Sequence, residues 1–110
     1  MGVIISDGGQ GHFHNASVRC MGGYHAVNGS FDDESGSSVV TRPDGDQAFY
    51  VYRGVGKRGV ETTGTSTYVG GTGKLAGLQG SSEWIRTNPR PAAEGTVQAI
   101  SRWKSTYKLP

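Results

Sequence analysis

Cysteine and long apolar runs are scarce in this chain of 110 residues. Its one cysteine, Cys20, excludes an intrachain disulfide and any zinc site built from several cysteines. No apolar run approaches the roughly 20 residues of a membrane-spanning helix. The cluster Val3-Ile4-Ile5 has neither the length nor the flanks of a signal peptide. We therefore expect no membrane partner, and the composition leaves the cellular location open.

Neither sign of charge is in large excess, because the net charge is only +2. Proteins that bind nucleic acid need clustered positive charge to neutralise phosphates, so we expect no nucleic acid partner. The distribution is uneven, since residues 1–55 carry a net charge of −3 and residues 56–110 carry +5. This asymmetry favours steering of an anionic partner toward the C-terminal half, although solvated faces of a sheet produce the same pattern.

Glycine is abundant, with 19 residues that follow neither a collagen period nor a low-complexity tract. Between the glycines, short β-branched and aromatic runs alternate with turn signals, which is typical of an antiparallel sandwich or barrel. The length suits one compact domain over residues 1–110, with residues 1–10 flexible or forming an incomplete first strand. We predict strands over His12–Met21, Tyr24–Val27, Phe31–Glu34, Gly36–Arg42, Asp46–Arg53, Gly59–Val69, Ser81–Thr87 and Gly95–Leu109, with Lys74–Leu78 as a short piece between two of them.

So many antiparallel strands leave exposed edges unless the sheet closes, and we therefore predict an all-β, up-and-down β-barrel of seven to eight strands. Its most secure pairing is the hairpin around Pro43-Asp44-Gly45, because proline fixes φ and Asp-Gly tolerates positive φ. A second turn is predicted at Asn28-Gly29. In the last strand, the core face is assigned to Val97, Ala99, Ser101, Trp103, Ser105, Tyr107 and Leu109, which alternate with polar residues.

The segment Tyr68-Val69-Gly70-Gly71-Thr72-Gly73-Lys74-Leu75 resembles a phosphate-binding loop and fails the test for one. A Walker loop needs a glycine five residues before its Gly-Lys pair and a Ser or Thr after the lysine. Tyr68 and Leu75 occupy those two positions. We therefore interpret the glycines as a sharp corner between strands and give Lys74 no chemical role.

Several segments together carry a resemblance to a known family. They are Gly11-His12-Phe13-His14-Asn15-Ala16-Ser17, Pro43-Asp44-Gly45-Asp46, the corner from Tyr68 to Gly77, and Tyr107-Lys108-Leu109-Pro110. The chain resembles a family of small uncharacterised bacterial proteins, which is similar in turn to the allene oxide cyclase and dirigent barrels. The resemblance implies an eight-stranded barrel with an apolar cavity and homo-oligomeric assembly, as a dimer or a trimer. It also implies an export signal in the bacterial relatives, and we expect none within residues 1–110.

Five aromatic residues are candidates for a binding site: Tyr50, Tyr52, Trp84, Trp103 and Tyr107. A cavity lined by such rings and one or two hydroxyls suits a small hydrophobic or aromatic ligand. The alternative is that the rings pack together and fill the interior.

Three functions compete on this basis. The favoured one is a non-catalytic barrel that binds a small hydrophobic molecule, as the dirigent likeness suggests. The second is a cyclase or isomerase in which Glu83, buried and facing the cavity, acts as acid or base. The third is a structural or oligomerisation module with a filled barrel and an exposed apolar patch.

Metal and thiol chemistry have weaker support. His12 and His14 would share one face of a strand, and His25 could join them as a metal ligand across a hairpin. Asp32, Asp33 and Glu34 are candidate calcium ligands, but they lack the EF-hand spacing. Structural or solvated roles explain these residues better, so we expect no metal and no cofactor. Cys20 is expected to behave as a small buried hydrophobe.

Overall fold

The computed structural model is an all-β sheet of seven antiparallel strands, each paired with the next along the chain. It describes residues 1–27, 30–57, 61–87, 93–94 and 99–110, of which 24–27, 30–33 and 57 are described by their backbone only. The strands are β1 (Gly2–Val3), β2 (Ser17–Val27), β3 (Ser30–Thr41), β4 (Gln47–Lys57), β5 (Glu61–Gly71), β6 (Gln79–Thr87) and β7 (Ile100–Lys108). The up-and-down fold is confirmed, and the sheet curls into a half-barrel that does not fully close.

The predicted strand limits are wrong at three places. β2 runs unbroken through Gly22 and Gly23, and β3 runs unbroken through Ser35, where breaks were expected. β2 begins at Ser17 and not at His12, because residues 11–15 form turns in which Asn15 takes a φ of 60°. The short piece Lys74–Leu78, to which no strand was assigned, is a turn that begins with the 3-10 helix Gly73–Leu75. The predicted turn at Asn28-Gly29, the break at residues 88–91 and the segment 95–98 lie outside the described residues.

The hairpin between β3 and β4 has the predicted turn. The Gly45 amide donates to the Arg42 carbonyl oxygen at 2.9 Å, and the Arg42 amide donates to the Asp46 carbonyl oxygen at 2.8 Å. Asp44 tightens the turn, since its carboxylate accepts the Asp46 amide at 3.0 Å. That hydrogen bond, together with Arg42 and Lys74 nearby, lowers the pKa of Asp44. The prediction from Pro43-Asp44-Gly45 is therefore confirmed.

The glycine-rich segment is a corner, as predicted. β5 ends at Gly71. Gly73 takes a left-handed φ of 54°, and a Cβ at this position would clash with the Asp46 carboxylate. The same carboxylate accepts the Lys74 amide at 3.0 Å, so it holds the corner against the neighbouring hairpin. The Lys74 side chain reaches Asp44 at 3.5 Å on the exposed surface, where ion pairs contribute little.

One end of the half-barrel is filled by a hydrophobic core. Its buried members are Ala16, Val40, Ala48, Tyr50, Leu75 and Leu78. The N-terminal segment covers this end: the Phe13 ring stacks on Tyr68 at 5.9 Å and meets the Tyr107 ring edge-on at 5.5 Å. Through Tyr107, Phe13 thus connects the N-terminal segment to β7 at this end of the half-barrel.

Two aromatic side chains lie across glycines of neighbouring strands on the inner face. A Cβ on Gly36 would lie 2.5 Å from the Tyr52 hydroxyl oxygen, and a Cβ on Gly64 would lie 2.5 Å from Cε2 of Trp84. Only glycine allows this approach, because real Cβ contacts are not that short. The positions of the Tyr52 and Trp84 rings therefore require glycine at residues 36 and 64, although both residues lie inside strands. In the part of the chain that is described, no helix has the length and apolar character needed to span a membrane.

Candidate functional site

The interior opens to solvent along the gap between β2 and β7, which we call the seam. Inward-facing residues of the middle strands are buried: Tyr50, Ser66, Ser82 and Trp84 are 2–5% exposed. Inward-facing residues of the two flanking strands are exposed, namely Cys20 on β2 and Trp103 and Ser105 on β7. Their inward position follows from the register, which pairs Cys20 with Ser38, Trp103 with Trp84, and Ser105 with Ser82. The seam therefore has a buried floor and accessible rims.

Two hydrogen-bonding groups on the seam floor have no partner among the described residues. They are the Ser66 hydroxyl and the Trp84 indole N–H, on residues 3% and 5% exposed. Trp84 pairs with Gly64 in the register, and Ser66 lies two residues further along β5, so the two side chains are diagonal neighbours. The next hydroxyls along the floor are satisfied, because the oxygens of Ser82 and Ser105 lie 2.6 Å apart. The floor thus has its unpartnered groups in one part, and the third such atom among the described residues, Nε of Arg42, lies at the hairpin between β3 and β4.

Tyr50 closes the floor toward the hydrophobic core. Its ring meets the Trp103 ring edge-on at 5.2 Å across the interior, and its hydroxyl lies 3.8 Å from the Cys20 sulfur. The Ser38 hydroxyl donates to the same sulfur at 2.8 Å. Burial raises the pKa of Tyr50 far above 10 and also raises the pKa of Tyr52 and Tyr68. All three phenols are therefore neutral near pH 7 and can donate hydrogen bonds.

An ion pair closes the other end of the seam. The Arg86 guanidinium donates two hydrogen bonds of 2.6 Å to the carboxylate of Glu34, which is 8% exposed. The Arg86 carbon Cζ lies 5.6 Å from the centroid of the Trp84 ring, so the cation also contacts the indole face. The hydrogen bonds to Glu34 raise the pKa of Arg86. Sequence analysis missed this pair, because the two residues are separated by 52 positions and no local pattern joins them.

The structure brings together four of the five aromatic candidates. Tyr50, Tyr52, Trp84 and Trp103 all face the interior near the seam. Tyr107 faces the same side but belongs to the covered end, where its ring contacts Phe13 and His12.

Glu83 does not meet the condition for catalysis. It is exposed on the outer face of β6, because it alternates with the buried Trp84. The inward carboxylate that a cyclase or isomerase would require is therefore not supplied by Glu83. Trp84 takes the inward position for the same reason, since successive side chains of a strand point to opposite faces.

The metal and thiol candidates are also placed. His12 and His14 lie in the turns before β2: His12 contacts the Tyr107 ring, and Nδ1 of His14 accepts the Ser6 amide at 3.1 Å. Among the described residues, no group of three His, Cys, Asp or Glu side chains could hold a metal ion. The side chains of His25, Asp32 and Asp33 lie outside the described residues. Cys20 is exposed, contrary to the expectation that it is buried, because it lies inward on a strand that flanks the seam.

Two open grooves lie elsewhere, on the outer face of the sheet. The larger, of about 790 Å³, is formed by residues 53–55, 63–65, 83–85 and 102–104 together with Asp7. The smaller, of about 400 Å³, includes Val51, Arg53, Thr65 and Thr67. Among the described residues that line the two grooves, the Trp84 indole is the one buried group without a partner, and its ring lies on the opposite face over Gly64. For a small ligand the seam is the better candidate, because its floor carries buried polar groups without a partner.

Comparison of the chain with protein-family models, with curated proteins and with solved structures gave no match. The likeness to the allene oxide cyclase and dirigent barrels accordingly stays a prediction.

Proposed function

We propose that this protein is a non-catalytic binding domain that takes a small uncharged aromatic molecule into the seam. The observation that carries the proposal is the pair of buried groups without partners, the Ser66 hydroxyl and the Trp84 indole N–H. Leaving such a group unsatisfied costs about 1–3 kcal/mol, so buried groups of this kind normally bind an ordered water or a ligand.

The chemistry of the seam favours a particular ligand class. The Trp84 indole can only donate, so the ligand must present an acceptor such as a carbonyl or hydroxyl oxygen. The Trp103 ring is 42% exposed on the rim and offers a surface for stacking. Glu34 and Arg86 neutralise each other at the end of the seam, which favours an uncharged molecule. The dirigent likeness points to the same class of function.

Binding without catalysis fits the titratable groups that line the seam. Arg86 holds the carboxylate of Glu34 by two hydrogen bonds, and Glu83 lies on the outer face of the sheet. His12 and His14, the two histidines whose side chains are described, belong to the N-terminal segment and not to the seam floor. General acid–base catalysis most often uses an imidazole or a carboxylate that is free to exchange a proton, and the described residues place neither of these near Ser66 and Trp84.

Titration with Prodan, an uncharged naphthyl ketone with environment-sensitive fluorescence, tests the proposal. The chain has two tryptophans, both at the seam, so energy transfer from them to the probe reports on proximity. We expect saturable binding of one probe per chain, a blue shift of its emission, and at least about tenfold weaker binding to Trp103→Ala. Val55→Ala, in the larger outer groove that Trp103 also borders, is the control and should bind normally. Unsaturable binding, or equal binding to Trp103→Ala and the unmodified protein, would overturn the proposal.

A further inference from the structure

The outer face of β6 and β7 carries a pair of opposite charges that the seam does not use. Glu83 and Lys104 stand directly opposite each other in the register, and both are exposed. Two large apolar residues share this face: Ile85 is 46% exposed and Ile100 is 59% exposed. Exposed apolar side chains beside charges of both signs are typical of a protein interface with a polar rim.

We propose that two copies of this protein associate face to face through this surface, with Glu83 of each copy opposite Lys104 of the other. A two-fold axis that runs parallel to the strands, between β6 and β7, exchanges the positions of these strands between the copies. Because Glu83 and Lys104 are register partners, the same rotation brings each acid over the base of the other copy. One axis thus forms two identical ion pairs, as an isologous dimer requires.

Charge complementarity identifies the occupant of this surface as a second copy. An anionic partner such as nucleic acid or an acidic membrane would be attracted by Lys104 and Arg102 but repelled by Glu83, which lies between them and the rest of the sheet. The two-fold arrangement also places Ile85 over the aliphatic part of Arg102, since these two residues are register partners as well. A second copy therefore satisfies the acid, the bases and the exposed isoleucine together.

A charge-exchange experiment by sedimentation velocity tests the dimer. The proteins are the unmodified chain, Glu83→Lys, Lys104→Glu, the double variant, and an equimolar mixture of the two single variants. We expect a reversible dimer for the unmodified chain and at least about tenfold weaker dimerisation for each single variant, because each then places like charges opposite each other. The double variant should dimerise normally.

The mixture separates pairing between copies from pairing within one chain. Glu83→Lys supplies two bases and Lys104→Glu supplies two acids, so they should form a mixed dimer although neither dimerises well alone. Repulsion within a chain would persist in the mixture and would not be relieved. Glu94→Lys, an exposed substitution elsewhere with the same change in charge, should leave dimerisation unchanged, and circular dichroism should show that every variant is folded. A monomeric unmodified chain, an assembly other than a dimer, or a mixture that stays monomeric would overturn the proposal.

Discussion

Trp84 lies across Gly64 and reaches Gly54 on the next strand, where an added Cβ would be only 2.6 Å from Cη2 of the indole. The indole therefore fills the space that side chains at both glycines would occupy. Since Trp84 also provides the unpartnered N–H of the seam floor, the packing of this ring and the proposed site depend on the same two glycines.

Gly64→Ala should displace the Trp84 ring and lower the free energy of unfolding by about 1–3 kcal/mol, the usual cost of overpacking. Urea unfolding monitored by circular dichroism measures this. Gly23→Ala is the matched control inside a strand, because nothing lies within 4 Å of a Cβ at that position. Equal effects of the two substitutions would show that the indole does not require Gly64.

Ser66→Ala and Ser82→Ala should change stability in opposite directions. Ser66 buries a hydroxyl without a partner, so its removal should raise the free energy of unfolding by about 1 kcal/mol. Ser82→Ala should lower the free energy of unfolding by about 1 kcal/mol, because the Ser82 hydroxyl is hydrogen-bonded to Ser105. Thermal unfolding of both variants checks this prediction. If Ser66→Ala costs as much as Ser82→Ala, the Ser66 hydroxyl is already satisfied in the free protein, and its role as an open site is lost.

The ion pair between Glu34 and Arg86 should be non-additive on mutation. Arg86→Met alone should cost roughly 2–3 kcal/mol, since it leaves a carboxylate that is 8% exposed without its cation. Glu34→Leu combined with Arg86→Met should cost less than the sum of the single substitutions, because no charge is then left unpaired. A double-mutant cycle by urea unfolding measures the coupling. Simple additivity would indicate that the two groups do not interact in solution.

Stability should fall at alkaline pH because of the buried tyrosines. Burial raises the pKa of Tyr50, Tyr52 and Tyr68 in the folded state, whereas an unfolded tyrosine ionises near pH 10. Above pH 10 the unfolded chain therefore releases protons that the folded chain keeps, so this contribution is complete below pH 10 and is lost as the pH rises further. Absorbance at 295 nm should show delayed ionisation that Tyr50→Phe reduces. Ionisation of all tyrosines near pH 10 with the fold intact would refute this.

Local patterns predicted the turns and faces well. Pro43-Asp44-Gly45 specified its hairpin, and alternation from Ser81 to Thr87 placed Glu83 and Trp84 on opposite faces. These features depend on neighbours in sequence, which is why they could be predicted.

Features set by distant parts of the chain could not be predicted in this way. Gly22 was expected to break a strand and Gly36 to begin one, yet both lie inside long strands, where the Tyr52 hydroxyl of another strand lies over them. From Ser101 to Leu109 the inward face of the last strand was assigned correctly, whereas Val97 lies outside the described residues. Trp103 is nevertheless 42% exposed, because β7 flanks an open seam and not a closed barrel. Phe13 was expected in a strand, whereas it covers one end of the half-barrel.

The most direct test of the seam as a binding site is the indole N–H signal of Trp84 in a nitrogen–proton correlation NMR spectrum during Prodan titration. The chain has two tryptophans, and Trp84→Phe assigns the signal by its disappearance. Formation of a hydrogen bond to the ketone should move the Trp84 signal downfield and saturate at the affinity measured by fluorescence. A Trp84 signal that stays in place while Prodan binds would contradict the account.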